Sequence, residues 1–330
     1  MNRQRSTKRF FAFLCAFVLL FACLPVAATA ETVSLTPGGM AFGVKFYTHG
    51  AIVIGVTDVE TPSGLASPAR DAGLQAGDII TKAGGKEIED ADELLQSVKG
   101  CGGQKLELHF LRNETEQTLT LRPVADRSTG EYKLGVWVRD STAGIGTVTF
   151  IDTKTGAFGG LGHGITDSAT GQLMPFRKGT VSEVTVTGVV KAKKNVPGEL
   201  QGDFGATVGT LSSNSEVGVF GKFDRLPENL GQPVPLGEPK KGTATVRTPV
   251  SGKVRDYTIE LEEIYTDSGK TKNFLIHVTD PELLKITGGI VQGMSGSPIL
   301  QDGKFVGAVT HVLLGDSTRG YGIRIYNMLG

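Results

Sequence analysis

The chain has 330 residues, 34 basic and 34 acidic side chains, a formal charge of zero and 39% apolar content. That length allows two ordinary domains, and the composition is that of a folded globular protein rather than a disordered one. Arg3, Arg5, Lys8 and Arg9 fall in the first ten positions, so the remainder is mildly acidic, with no basic patch to bind nucleic acid.

Residues 1–30 read as an export signal. The basic start precedes an unbroken apolar run from Phe10 to Leu24, the length of a signal h-region and short for a membrane span. Ala27-Ala28-Thr29-Ala30 then supplies a small-residue site for cleavage after Ala30. Retention of residues 10–24 as an N-terminal anchor is the alternative. Phe21, where lipid attachment prefers a small residue, disfavours a lipidated Cys23. Cys15 and Cys23 lie in this segment, leaving Cys101 alone beyond it. No intrachain disulfide can then form in the exported part, and a thiolate metal site is disfavoured.

From about Leu35 to Ala125 the pattern predicts a small α/β domain. Phe42–Tyr47 and Ala51–Thr57 read as strands on either side of a turn at Thr48-His49-Gly50. A short helix over 67–74 closes on glycine, and Asp78–Lys82 is the next strand. Asp90 and Glu93 form a capping pair for a second helix, in which Ala91, Leu94, Leu95 and Val98 share one face. Leu106, Leu108 and Phe110 alternate as a strand, and 118–121 follows a turn at Asn113. The string Ala69-Arg70-Asp71-Ala72-Gly73-Leu74-Gln75-Ala76-Gly77-Asp78-Ile79-Ile80 resembles the signature of PDZ domains from bacterial proteases. That resemblance implies peptide binding by strand addition. The carboxylate-binding loop would correspond to Gly39, Met40, Ala41, Phe42, Gly43 and Val44, whose glycines leave backbone N–H groups open to an anion. The ligand would be a segment of this chain's own N-terminal region or of a partner.

Asp126–Glu131 is polar and turn-rich and suits a linker. From Tyr132 to Gly330, short strands separated by glycine turns predict a β-barrel or sandwich. Gly293-Met294-Ser295-Gly296-Ser297-Pro298 places a serine between glycines on a tight turn. The backbone N–H groups of Gly293 and Ser295 can converge there as an oxyanion hole. The pattern resembles the nucleophile turn of chymotrypsin-like peptidases, which makes Ser295 the nucleophile and Ser297 the decoy. A base is then needed, and His163, His277 and His311 are the histidines beyond the first domain. His163, in a glycine-packed turn, has the most open setting. No HExxH, CxxC or P-loop string occurs, so no metal or phosphate cofactor is expected.

Three strings together, Gly135–Phe150, Gly160–Ile165 and Gly289–Ile299, resemble the stage IV sporulation protein B peptidase family. Its members join a signal-like N-terminus, a PDZ domain and a chymotrypsin-like catalytic domain. The resemblance implies His163 as base, Ser295 as nucleophile and Asp280 as the acid of a triad; Asp140, Asp152, Asp167 and Asp203 remain substitutes for the last. It also implies a self-cleaving endopeptidase exported to the space between two membranes during sporulation. There it would cleave a membrane-embedded regulator, so that an intramembrane metalloprotease processes a sigma-factor precursor. Two other readings compete: a non-catalytic exported PDZ scaffold, and a housekeeping protease, whose usual domain order is the reverse of this one.

Overall fold

In the computed structural model, which describes residues 33–113, 115–167, 171–265 and 271–330, a short β1 (Ser34–Pro37) leads into a strand of 16 residues, β2 (Ala41–Val56). The expected turn at Thr48-His49-Gly50 is absent. Thr48 donates its hydroxyl to Gly50 O and Asp140 O, and Gly50 has φ of 81°. The chain bulges here without reversing. The export-signal reading of residues 1–30 lies outside the described residues. Among those described, no helix is long and apolar enough to cross a membrane.

Past the bulge the chain builds the PDZ-like lobe. A hairpin of β3 (Val59–Thr61) and β4 (Gly64–Ala66) precedes α1 (Pro68–Asp71), shorter than expected. Then come β5 (Ile79–Ala83), β6 (Lys86–Glu87), α2 (Ala91–Gly100), β7 (Leu106–Arg112) and β8 (Thr115–Leu121). Asp90 caps α2 as anticipated, accepting the Glu93 N–H at 3.0 Å. Leu94 and Val98 turn inward to Ile80, Leu108 and Phe110. Asp126–Glu131 is no linker. It is the turn between β9 (Val124–Ala125) and β10 (Tyr132–Lys133), with the Asp126 carboxylate accepting the N–H groups of Ser128 and Thr129.

The next strand, β11 (Val136–Ile151), is also 16 residues long and pairs antiparallel with β2 from Val136↔Val56 to Thr147↔Ala41. One end of this ribbon lies in the PDZ lobe, where Ala51 and Ile52 pair with β5. The other end lies in a barrel with β12 (Ala157–Gly160), β13 (Phe176–Val190), β14 (Glu199–Ser215) and β15 (Gly218–Phe223). Among the described residues its order is β11-β12-β15-β14-β13-β2, closed by the β2–β11 pair. Phe42, Val44 and Phe46 of β2 fill it with Val148, Phe158 and Val181.

The PDZ lobe is thus an insertion between two strands of the first barrel. Residues 35–48, assigned by sequence to the PDZ domain, run instead along the strands of the first barrel.

After β16 (Val234–Pro235), which pairs with β1, a second barrel closes as β17 (Gly242–Thr248), β18 (Arg255–Ile264), β19 (Phe274–Val278), β22 (Asp316–Arg324), β21 (Lys304–Leu313) and β20 (Pro298–Gln301). Helix α3 (Pro281–Thr287) joins β19 to β20, and α4 (Ile325–Leu329) ends the chain. Phe305, Ile323 and Met328 pack with Phe150 along the seam between the barrels. The chymotrypsin-like expectation is met by two barrels meeting at a seam.

Candidate active site

Two glycine turns, one from each barrel, meet at the seam. After β12 the chain takes a left-handed step at Leu161 (φ 67°) and Gly162 (φ 68°), which leads into His163 at the seam. In the second barrel, Gly293 (φ 95°) and Gly296 (φ 92°) bracket Ser295, a backbone region that non-glycine residues seldom adopt. A Cβ at Gly296 would also collide with Thr147 O and Leu161 N of the first barrel. Thr147 fixes this loop twice, by its N–H to Ser295 O at 3.0 Å and its hydroxyl to Gly293 O at 2.8 Å. Ser297 is fully buried, with its hydroxyl 3.4 Å from that of Thr147, and is inaccessible to a substrate.

His163 and Ser295 line one cleft of about 410 Å³, with Gly293, Thr310 and His311 and apolar walls that include Ile145, Ile290 and Val312. Among the described residues the N–H groups of Gly293 and Ser295 have no protein acceptor. Two free donors beside a serine hydroxyl are what a developing oxyanion needs. The hydroxyl itself donates to Thr310 O at 2.8 Å rather than to His163. To pass its proton to the imidazole it must rotate off that carbonyl.

The site is electrically neutral. Burial lowers the His163 pKa, opposed by its bond to Gly164 O, 2.9 Å from Nδ1. His311 lies with its ring centroid 5.0 Å from that of His163. Burial, then the neighbouring His163 and Lys272, push its pKa down to about 4. Both rings are therefore neutral at pH 7, the state in which an imidazole accepts a proton. His277 is elsewhere, paired to Glu262 at 3.1 Å.

The structure does not bring Asp280 to this pair. Asp280 is the N-cap of α3, its carboxylate accepting the N–H groups of Thr258, Glu282 and Leu283 at 2.9–3.1 Å. Burial opposes its ionisation, but those three donors outweigh it and keep the pKa low. Of the substitutes, Asp140 accepts Ala91 N–H, Asp152 holds the turn at Lys154, Asp167 pairs with Arg139, and Asp203 lies opposite Thr185 on β14. Among the described residues no carboxylate is bonded to His163, and no group of three His, Cys, Asp or Glu side chains is placed to hold a metal ion.

The expected PDZ loop, Gly39 to Val44, is also placed differently. Gly39 N–H donates to Val148 O at 2.8 Å, Phe42 and Val44 are core residues of the first barrel, and Gly43 faces Phe204. These groups are spent on barrel pairing and packing.

A groove does exist beside α2, about 410 Å³ in volume, between Leu94, Leu95 and Val98 on the helix and Leu134 to Val138 on the strand. Among the described residues the N–H groups of Leu134 and Gly135 have no acceptor, and β11 from Val136 to Arg139 is paired only to β2. Its other edge can accept an added strand. Leu134-Gly135-Val136-Trp137-Val138 carried a signal for this, an apolar–Gly–apolar turn entering a strand.

Residues 63–112 match a PDZ domain and residues 130–329 match the family described as SpoIVB peptidase S55. A Lactococcus lactis subsp. lactis (strain IL1403) protein named "Putative zinc metalloprotease LL2128" is 28% identical over 129 residues, 39% of this chain; the chain spans 28% of that relative's length. Among solved structures, the PDZ domain of the SdrC-like protein (Lmo2051) from Listeria monocytogenes is similar over 27% of this chain and 86% of its own, with 22% identity and a TM-score of 0.23. The active form of the Rv3671c protease from M. tuberculosis is similar over 57% of this chain and 72% of its own, with 17% identity and a TM-score of 0.30. With the family matched over most of its length, the chain belongs to the SpoIVB peptidase S55 family and carries a PDZ domain.

Proposed function

We propose that the chain is a self-cleaving endopeptidase in which Ser295 attacks the peptide carbonyl and His163 takes its proton. The Gly293 and Ser295 N–H groups would hold the oxyanion. The observation that carries this reading is the shared cleft of His163 and Ser295 beside two N–H groups without acceptors. Asp280 acts on the site through α3, whose C-terminal Gly288 leads into the loop bearing Ser295.

The family and the basic–apolar N-terminus support a wider role. Exported from the forespore, or tethered there by residues 10–24, the enzyme would act between the forespore and mother-cell membranes. Its substrate would be a membrane-embedded regulator, whose cleavage frees an intramembrane metalloprotease to process a sigma-factor precursor. The groove beside α2 would hold a peptide, from this chain or a partner.

Labelling by a fluorophosphonate tests the chemistry. Parent and Ser297→Ala should label and Ser295→Ala should not, with discrete self-cleavage fragments only where Ser295 is intact. The Ser295 hydroxyl's bond to Thr310 O favours the competing reading of a non-catalytic scaffold. Absence of Ser295-dependent labelling would establish that reading instead.

A further inference from the structure

We propose that Asn214 is the positioning residue of the imidazole, acting through the single peptide group that joins Gly164 to Ile165. This rests on the reading of His163 as the base.

An imidazole base needs its second nitrogen held, so that one tautomer and one ring orientation persist. A carboxylate commonly does this, and among the described residues none is bonded to His163. His163 Nδ1 is instead 2.9 Å from Gly164 O. With the proton on Nδ1 the ring donates to that carbonyl and keeps Nε2 free as the acceptor.

The Gly164 carbonyl and the Ile165 N–H are two ends of one planar peptide. Asn214 Oδ1 accepts that N–H at 2.8 Å. A chain therefore runs from the imidazole N–H to the peptide carbonyl, and from the peptide N–H to the Asn214 amide oxygen. Successive bonds in such a chain polarise one another. The amide draws on the N–H, the carbonyl becomes a better acceptor, and the imidazolium formed during attack is better supported.

Asn214 is itself held. Its Nδ2 donates to Ile165 O at 3.0 Å and Met174 O at 2.9 Å, so both amide protons are used. Residue 214 is near the end of β14, in register with Val219 of β15. In the same hairpin Glu216 O accepts Gly164 N–H at 3.2 Å. The hairpin thus grips the His163 turn on two successive peptides. Aspartate in this place would keep the acceptor, lose both donors and bring a negative charge to the relay. Alanine would remove acceptor and donors alike.

Among the described residues the titratable groups facing His163 are His311 on β21 and Ser295, with Lys272 beyond His311. A change of charge or polarity at position 214 should therefore be read at His163 itself.

The test is an NMR titration of the His163 ring in the whole chain carrying Ser295→Ala, with and without Asn214→Ala or Asn214→Asp. Fluorophosphonate labelling rates are measured in parallel with Ser295 intact. Asn214→Ala should move the His163 midpoint to lower pH and slow labelling by roughly tenfold or more, within the range of a general base's contribution. Asn214→Asp, nearly isosteric, should move the midpoint to higher pH. Opposite displacements support the relay, since a merely structural role would lower the melting temperature of both variants and leave the midpoint in place. An unmoved midpoint in a folded Asn214→Asp chain overturns it. Opposite displacements in a chain whose Ser295 never labels would keep Asn214 as the positioning residue and overturn the catalytic reading alone.

Discussion

Thr147 of the first barrel holds Ser295 of the second: its N–H reaches Ser295 O at 3.0 Å, while its hydroxyl reaches Gly293 O at 2.8 Å. Both bonds end on the loop whose free N–H groups face the cleft. The shape of the oxyanion site is therefore set by a residue of the other barrel. Thr147→Val keeps the volume and removes the hydroxyl. It should cost about 1–2 kcal/mol in urea unfolding, the order of a lost buried hydrogen bond. Labelling of Ser295 should slow as well, since the Gly293 peptide loses its anchor. Unchanged labelling in a destabilised variant would mean that the loop keeps its shape without Thr147.

The shared ribbon gives a second prediction. A fragment of residues 130–330 spans the peptidase match but lacks β2, and with it Phe42, Val44 and Phe46, all buried in the first barrel. Burial of a large apolar side chain is worth about 1.5–3 kcal/mol, so three sum to a sizeable part of a typical net stability of about 5–15 kcal/mol. The fragment should show no cooperative thermal transition and no labelling. Residues 34–330 should show both.

Asp280 separates two roles. As an N-cap, its replacement by alanine should cost about 1 kcal/mol, while asparagine, an equally good cap, should cost little. Labelling of the asparagine variant should stay within about threefold of the parent, because the cap is preserved. A triad acid behaves differently, since asparagine would then abolish labelling in a chain of unchanged melting temperature.

The two half-buried imidazoles of the cleft set the acid side of the pH response. Each has a folded-state pKa below its usual 6.5, so as pH falls the unfolded chain takes up protons first. Stability from these groups is present above about 6.5 and is lost as pH falls toward 4, the value reached by His311. Thermal melts between pH 7 and 4 should show this decline, reduced in His311→Gln. The acid limb of Ser295 labelling should likewise lie below 6.5, because the neutral His163 is the active form. A limb at or above 6.5 would contradict the burial of that ring.

Local signals were legible where the chemistry is local. Gly293, Ser295 and Gly296 declare a tight serine turn in sequence, and Asp90 with Glu93 declares the start of α2. Strand pairing is different, because alternation reveals which faces are buried but not which partner covers them. Thr48-His49-Gly50 has the composition of a hairpin turn, yet it forms a bulge because both flanks find partners in β11. Misreading that one turn moved the domain boundary and sent the PDZ loop to Gly39. Gly135 and Val136 open the string that resembles the peptidase family, although the preceding Leu134 packs in the PDZ core. The placing of Asp280 was hidden for a related reason: fifteen residues before Ser295 leave room for a return to the site, but Pro281 commits Asp280 to starting a helix.

The groove beside α2 carries its own reporter. Trp137 is the one tryptophan of the chain and stands 65% exposed at the groove's edge. A peptide added along β11 would cover it, with an apolar end among Leu94, Leu95 and Val98 and its carboxylate at the free N–H groups of Leu134 and Gly135. Tryptophan emission should shift to the blue on titration with peptides ending in a free carboxylate and an apolar residue. The amidated form of the same peptide should bind more weakly, because the charge-assisted bonds to the loop are lost. Leu95→Asp, on an exposed part of the helix wall, should abolish the shift while leaving the melting temperature close to that of the parent. Equal binding of free and amidated peptides would show that the groove takes internal segments, recognised by strand pairing alone.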